Sequence, residues 1–215
     1  MVLSGRTKTF LAESRRNFHT TGALLPSGKS LAFEVTKHLA IPHRKPLKIL
    51  EVGPGTGPVT RIIAKRMIKG DTLDAVEINP AFARAMAELV ANDADFTAHR
   101  SRIQVIEADL VTLPGNEEYD AIICGLPFNN FDSELVGQMF NSLEGLLKPG
   151  GRLSYFEYWA IQTLKLPFVG SKTRQRLRGI GRLTGEIRKR MGGSTRLILA
   201  NFPPALVHHL LKPMA

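Results

Sequence analysis

A single cysteine, Cys124, in 215 residues excludes an internal disulfide, and with it the disulfide-stapled scaffolds of oxidising compartments. No run approaches the roughly 18 uninterrupted apolar residues that carry a helix across a bilayer. The first twelve residues are broken by Gly5, Arg6 and Lys8, so they lack the apolar stretch of a secretory signal. Internal repeats and low-complexity tracts are missing. A composition of 43% hydrophobic and 22% charged residues excludes a disordered or collagenous chain. Acids are scarce: 19 Asp and Glu face 29 Lys and Arg, for a net charge of +10. The expectation is a single-domain, soluble, cytoplasmic protein with a polyanionic or membrane-surface partner.

The positive charge is concentrated. Residues 1–30 carry five basic side chains (Arg6, Lys8, Arg15, Arg16, Lys29) against Glu13, and residues 165–190 carry nine against Glu186; the remaining 15 basic and 17 acidic residues nearly cancel. Two cationic segments on a near-neutral body suit phosphates of nucleic acid or lipid, although solvated helix faces produce similar runs. In the first segment Leu3, Phe10, Leu11 and Phe18 share one helical side while Lys8, Arg15 and Arg16 share the other. That pattern fits a helix in a membrane interface and equally one packed on its own domain. The expected organisation is a helical segment over residues 1–40 that docks on membrane or covers a site, then a domain over 41–215 with a basic insertion at 158–193.

Hydrophobic patterning places strands at 47–52, 73–78, 103–106, 121–124 and 152–157. Helices are predicted to about Leu39 from a cap at Ser27 or Ser30, over 59–68, from Pro80 to Asn92, and over 133–147, the last stopped by Pro149-Gly150-Gly151. Residues 194–199 and 205–210 read as a closing antiparallel pair. Alternating strands and helices imply a mainly parallel sheet covered on both faces. The insertion shows no clear strand and is expected to be helical in part.

The sharpest motif is Glu51-Val52-Gly53-Pro54-Gly55-Thr56-Gly57, between a buried strand and a helix. Glycines permit the tight turn and leave no side chain between backbone and ligand, and the helix N-terminus offers N–H groups to an anionic group. Glu77 ends the next strand twenty residues after Gly57, where a carboxylate can accept both hydroxyl protons of a ribose. Together these specify a site for an adenosine-containing cofactor.

With Glu107-Ala108-Asp109-Leu110 and Gly125-Leu126-Pro127-Phe128, the chain resembles class I S-adenosylmethionine-dependent methyltransferases. More narrowly, it resembles bacterial phospholipid N-methyltransferases through Gly22-Ala23-Leu24-Leu25-Pro26-Ser27, the Gly125–Phe128 turn and Asn201-Phe202-Pro203-Pro204-Ala205. The resemblance implies a Rossmann-like α/β fold: a mostly parallel seven-stranded sheet with a final antiparallel strand, preceded by N-terminal amphipathic helices. It implies S-adenosylmethionine as cofactor, S-adenosylhomocysteine as product, and N-methylation of phosphatidylethanolamine toward phosphatidylcholine on the cytoplasmic membrane face. Gly53, Gly55, Gly57 and Gly125 would admit the cofactor. Glu51 would face its ammonium, Glu77 its ribose, and Asp109 with the Ala108 backbone its adenine.

An alkylated ammonium attracts aromatic faces. Phe128, Phe131, Tyr155, Tyr158 and Trp159 follow strands four and five, on the edge where such folds bind substrates. Phe128, Tyr155, Glu157 and Tyr158 are therefore the candidate catalytic residues, the tyrosines as amine acceptors and Glu157 as an anionic partner. No histidine pair has metal-ligand spacing, so no metal is expected. The chain is expected to act as a monomer. An alternative is an RNA adenine-N6 dimethyltransferase, which the Glu51–Gly57 loop and the Leu-Pro-Phe turn also resemble. Such enzymes place Asn or Asp first in the turn, where this chain has Gly125, and nucleic acid is accordingly the less favoured partner. A third alternative is a non-catalytic cofactor-binding module.

Overall fold

The computed structural model describes residues 26–158, 170–201 and 203–214. The amphipathic pattern of the first 21 residues, the motif before Pro26, Trp159 and Phe202 fall outside the described residues. Seven strands form one sheet: β1 (Lys48–Val52), β2 (Thr72–Glu77), β3 (Ile103–Glu107), β4 (Tyr119–Cys124), β5 (Leu147–Tyr158), β6 (Gly193–Ile198) and β7 (Ala205–Leu211). Their spatial order is β3-β2-β1-β4-β5-β7-β6. Neighbours from β3 through β5 pair in parallel, and β7 pairs antiparallel to both β5 and β6. The expected sheet with one reversed strand is what forms.

Helices cover both faces because the central strands are apolar on both sides. On one face α1 (Pro26–Val35) and α2 (Pro58–Arg66) bury Leu31 and Ile63 against Ile49, Leu73 and Phe156, and α3 (Pro80–Asn92) buries Met86 and Val90 with Phe96 against Ile103 and Val105 of β3. On the other, α4 (Ser133–Leu146) and α5 (Ser171–Met191) bury Phe140, Leu143 and Ile180 against Leu50, Ile122 and Tyr155. Short-range caps fix the starts: Asn79 Oδ1 accepts from Ala81 N–H at 2.9 Å ahead of α3, and Asp132 Oδ1 accepts from Leu135 N–H at 2.8 Å ahead of α4.

Helix α1 starts at Pro26, so Ser27 and Ser30 lie within it rather than capping it, and it stops at Val35 rather than Leu39, followed by a 3-10 turn over Lys37–Ala40. Two further features differ from expectation. Helix α4 ends at Leu146, within a residue of expectation, but β5 begins at Leu147 rather than at residue 152, because Leu147 already pairs with Tyr119 of β4. Pairing resumes at Ala121 with Arg152, so residues 148–151 bulge out of β5 with Gly150 at φ 72°. The basic insertion is a continuous 21-residue helix over its described part, α5.

Helix α5 lies beside α4 and runs in the same direction. A β-carbon on Gly179 would stand 3.4 Å from Ser133 at the start of α4, and Arg190 pairs with Glu144 near its end. Residues 171–178 therefore overhang the start of α4 by about 12 Å at 1.5 Å per residue. They project at the sheet edge where the parallel strands end.

Candidate active site

β1 and β4 are adjacent at the centre of the sheet, and the backbone beyond their carboxyl ends builds the site. Gly53, Gly55 and Gly57 take φ of 76°, 58° and 86°, a region that favours glycine. The Gly53 N–H donates to the Val76 carbonyl at 2.8 Å, and the Gly57 N–H to the Pro54 carbonyl at 3.0 Å. A β-carbon on Gly57 would come within 2.8 Å of Leu89 Cδ2, so the turn needs the space as well as the dihedral. The result is a side-chain-free cradle opening onto the N-terminus of α2.

Glu51 and Glu77 both project toward the α2 face of the sheet, and both are buried. One Glu77 oxygen accepts from the Gly55 N–H at 3.3 Å and the other from the Asn79 N–H at 3.0 Å. The predicted ribose acid is thus also the strut that ties β2 to the glycine loop. Ala108 N–H donates to the Glu77 carbonyl at 3.2 Å, and the Asp109 carboxylate accepts from Val111 N–H at 3.2 Å, capping a short turn. Gly125 donates its N–H to the Val52 carbonyl at 2.8 Å, and a β-carbon there would sit 3.0 Å from the Gly53 carbonyl oxygen. Any side chain at the first position of this turn would press on the glycine loop.

The predicted substrate residues divide between the faces. Phe128, Tyr155 and Glu157 share the α5 face, whereas Tyr158 lies on the opposite face in edge contact with Phe156. Tyr155 is fully buried, edge-on to Phe128 and Phe140 and stacked on His208 at 4.8 Å. Burial, with the nearby Glu157 carboxylate adding, raises the Tyr155 phenol well above its ordinary range. Phe128 and Phe131 are buried in the same core. Glu157 lies two residues beyond the last pairing of β4 with β5, Cys124 with Tyr155. Arg188 of α5 reaches this corner: its guanidinium donates to the Tyr155 hydroxyl at 3.4 Å and to Thr184 Oγ1 at 3.3 Å, and stands 3.9 Å from Glu157.

Sequence reasoning missed Arg188, counting it only as one cation among nine. Its signal is positional: it lies between the buried Ile187 and Met191, four residues after the buried Thr184. His208 was assigned to the closing strand without a contact, and the structure places it against Tyr155. Cys124 is buried mid-sheet, as a structural residue would be. Among the described residues no group of three His, Cys, Asp or Glu could hold a metal ion, and no helix is long and apolar enough to cross a membrane.

Residues 49–151 match a family model described as a methyltransferase domain. The architecture is the Rossmann-like fold of S-adenosylmethionine-dependent methyltransferases. It overlays magnesium protoporphyrin IX methyltransferase from Synechocystis PCC 6803, solved with bound S-adenosylhomocysteine, with a TM-score of 0.65, covering 95% of this chain and 96% of that one at 18% identity. The PH0226 protein of Pyrococcus horikoshii overlays with a TM-score of 0.66 over 94% and 98% at 15% identity. In sequence, this chain is 29% identical over 166 residues to a protein named ornithine lipid N-methyltransferase from Singulisphaera acidiphila, covering 74% of this chain and 78% of the relative. It is 33% identical over 81 residues to ribosomal RNA small subunit methyltransferase A of Thermobifida fusca, spanning only 27% of that relative's length.

The residues present fit the cofactor. A β-carbon at Gly57 or Gly125 would crowd the cradle, the Glu77 carboxylate touches it at Gly55, Glu51 precedes it on β1, and Asp109 follows β3 farther along the same strand edge.

Proposed function

We propose that the protein N-methylates the headgroup amine of phosphatidylethanolamine, in steps toward phosphatidylcholine, at an anionic membrane surface. The observation that carries this reading is the similarity to a lipid N-methyltransferase over about three quarters of both chains. Gly125 supports it against base methylation: the turn lacks a side-chain carbonyl to accept from a base amino group, and the Gly53 carbonyl leaves little room for one.

The cofactor supplies an activated methyl group on a sulfonium, so the protein's part is alignment and proton removal. Gly53, Gly55 and Gly57 admit its methionine moiety to the backbone, with Glu51 on the ammonium. Glu77 would receive the ribose hydroxyls on the acceptor sites left by the Gly55 and Asn79 N–H groups, which hold its two oxygens in place. Asp109 and the Ala108 backbone receive the adenine, and Gly125 keeps the path between the two half-sites open. Glu157 attracts the substrate ammonium beside Tyr155 and Phe128, and Tyr158 borders the opposite side of β5. The start of α5, with Arg174 and Arg178 four residues apart on one helical face, would face lipid phosphates at the same edge.

Incubation with radiolabelled methyl donor tests the assignment. Label in chloroform-soluble phosphatidylethanolamine derivatives is expected. Label in ornithine lipid alone would move the substrate, label in unmodified ribosomal RNA would replace the reading, and label in neither would remove catalysis. Vesicle sedimentation should strengthen with anionic lipid and weaken with salt; equal binding to neutral vesicles in high salt would refute the docking.

A further inference from the structure

Helix α5 does more than carry surface charge. Its residue Arg188 is turned inward to a corner built from three elements. Tyr155 and Glu157 come from β5, His208 from β7, and Thr184 from α5 itself. Glu157 is a carboxylate with only 3% of its side chain exposed, and Arg188 is 31% exposed. A buried carboxylate holds its charge only beside an opposite charge or donors. A primary amine bound for methylation arrives mainly as an ammonium, which seeks such a carboxylate. The guanidinium and the incoming ammonium therefore address one group.

We propose that Arg188 is a positioning residue for amine capture: it keeps Glu157 ionised and aimed, and thereby couples the seating of α5 to recognition of the substrate ammonium. This rests on the assignment of Glu157 to the substrate half of the site. One guanidinium nitrogen, Arg188 Nη1, donates both to Thr184 Oγ1 four residues earlier and to the Tyr155 hydroxyl, and the same nitrogen is the one nearest Glu157. At 3.9 Å from Glu157 it is close enough to supply charge yet longer than a tight hydrogen-bonded pair.

The other titratable neighbours do not duplicate this charge. His208 is held neutral, its pKa lowered to about 3 by burial, with Arg188 and His209 adding to the effect. Tyr155 is neutral for the reason given above, and Cys124 stands on the adjacent β4. Arg188 is a permanent cation facing this corner. Removing an opposite charge at this distance raises a carboxyl pKa, so amine binding should fail at a higher pH than in the wild type.

The experiment compares wild type with Arg188→Gln, Arg188→Lys and Glu157→Gln as full chains on phosphatidylethanolamine vesicles, recording KM for lipid, kcat and S-adenosylhomocysteine affinity against pH. Arg188→Gln should move the acidic limb of kcat/KM upward by about one pH unit, chiefly through KM, with cofactor affinity unchanged. Arg188→Lys should restore most of the shift. An unmoved limb in Arg188→Gln, or cofactor affinity and folding falling together with activity, would overturn the proposal. Glu157→Gln separates it from its premise. Unimpaired KM in that variant would remove Glu157 from the substrate site, whereas impaired KM there with a wild-type profile in Arg188→Gln would reject Arg188 alone.

Discussion

Acidification should unfold this protein through its buried imidazoles. Burial lowers His208 to about 3 and His38 to about 4, the latter helped by Arg152 and Lys37; His209 is also lowered by burial, against the pull of Glu34. In the unfolded chain each takes up its proton near pH 6.5. Below that pH the unfolded state binds protons that the native state refuses, so stability is highest above about 6.5 and declines as pH falls toward the native values. His208 offers the cleanest test. It is 3% exposed, its Nδ1 shares a hydrogen bond with Thr195 Oγ1 at 2.9 Å, and its Nε2 has no hydrogen-bond partner among the described residues. A proton on Nε2 would have no acceptor. One imidazole that stays neutral lowers stability by about 1.4 kcal/mol per pH unit below 6.5, or about 2 kcal/mol by pH 5. Urea unfolding between about pH 7 and pH 5 should therefore show a slope in wild type that is shallower in His208→Gln by about that amount per pH unit. An equal slope in both, or a ring resonance of His208 titrating near its ordinary value by NMR, would refute the argument.

Two further outcomes follow from the loops. Glu77→Ala removes both the strut to Gly55 and the ribose acceptor; calorimetry should find S-adenosylhomocysteine bound at least about tenfold more weakly, at ~1.4 kcal/mol per factor of ten, and undiminished affinity would contradict the site. Asp71 is fully buried and accepts from Arg44 at 2.7 and 2.5 Å and from the backbone of Leu47 and Ile68. Asp71→Asn should cost about 3 kcal/mol in urea unfolding by leaving Arg44 uncompensated, with cofactor affinity at the far end of β1 preserved; loss of affinity without loss of stability would reverse the assignment.

Legibility followed range. The strand–glycine–helix unit was readable because an apolar run, positive-φ glycines and the proline opening α3 are local signals, and the structure places Glu77 beside the loop as their spacing implied. The end of α4 was readable to one residue, but the start of β5 was not, because Leu147 pairs with a strand 28 residues earlier ahead of the Pro149-Gly150-Gly151 run that reads locally as a break. The substrate half suffered most. Sequence adjacency joined Tyr158 to Tyr155 and Glu157, but strand alternation sends it to the other face. Arg188 reaches them only through the packing of a helix some thirty residues later.

The position of β7 bears on how the chain is made. It is the last of the seven strands in sequence, yet it enters the sheet between β5 and β6. While synthesis proceeds, the parallel half emerges first and β5 presents a bare flank of backbone donors and acceptors. Any extended neighbour could occupy that flank. Completion waits for residues 205–211, whose arrival supplies His208 to one layer and Val207 to the other in a single insertion. Ribosome pausing shortly upstream of Ala205 would prolong that vulnerable interval and favour intermolecular strand exchange over native closure.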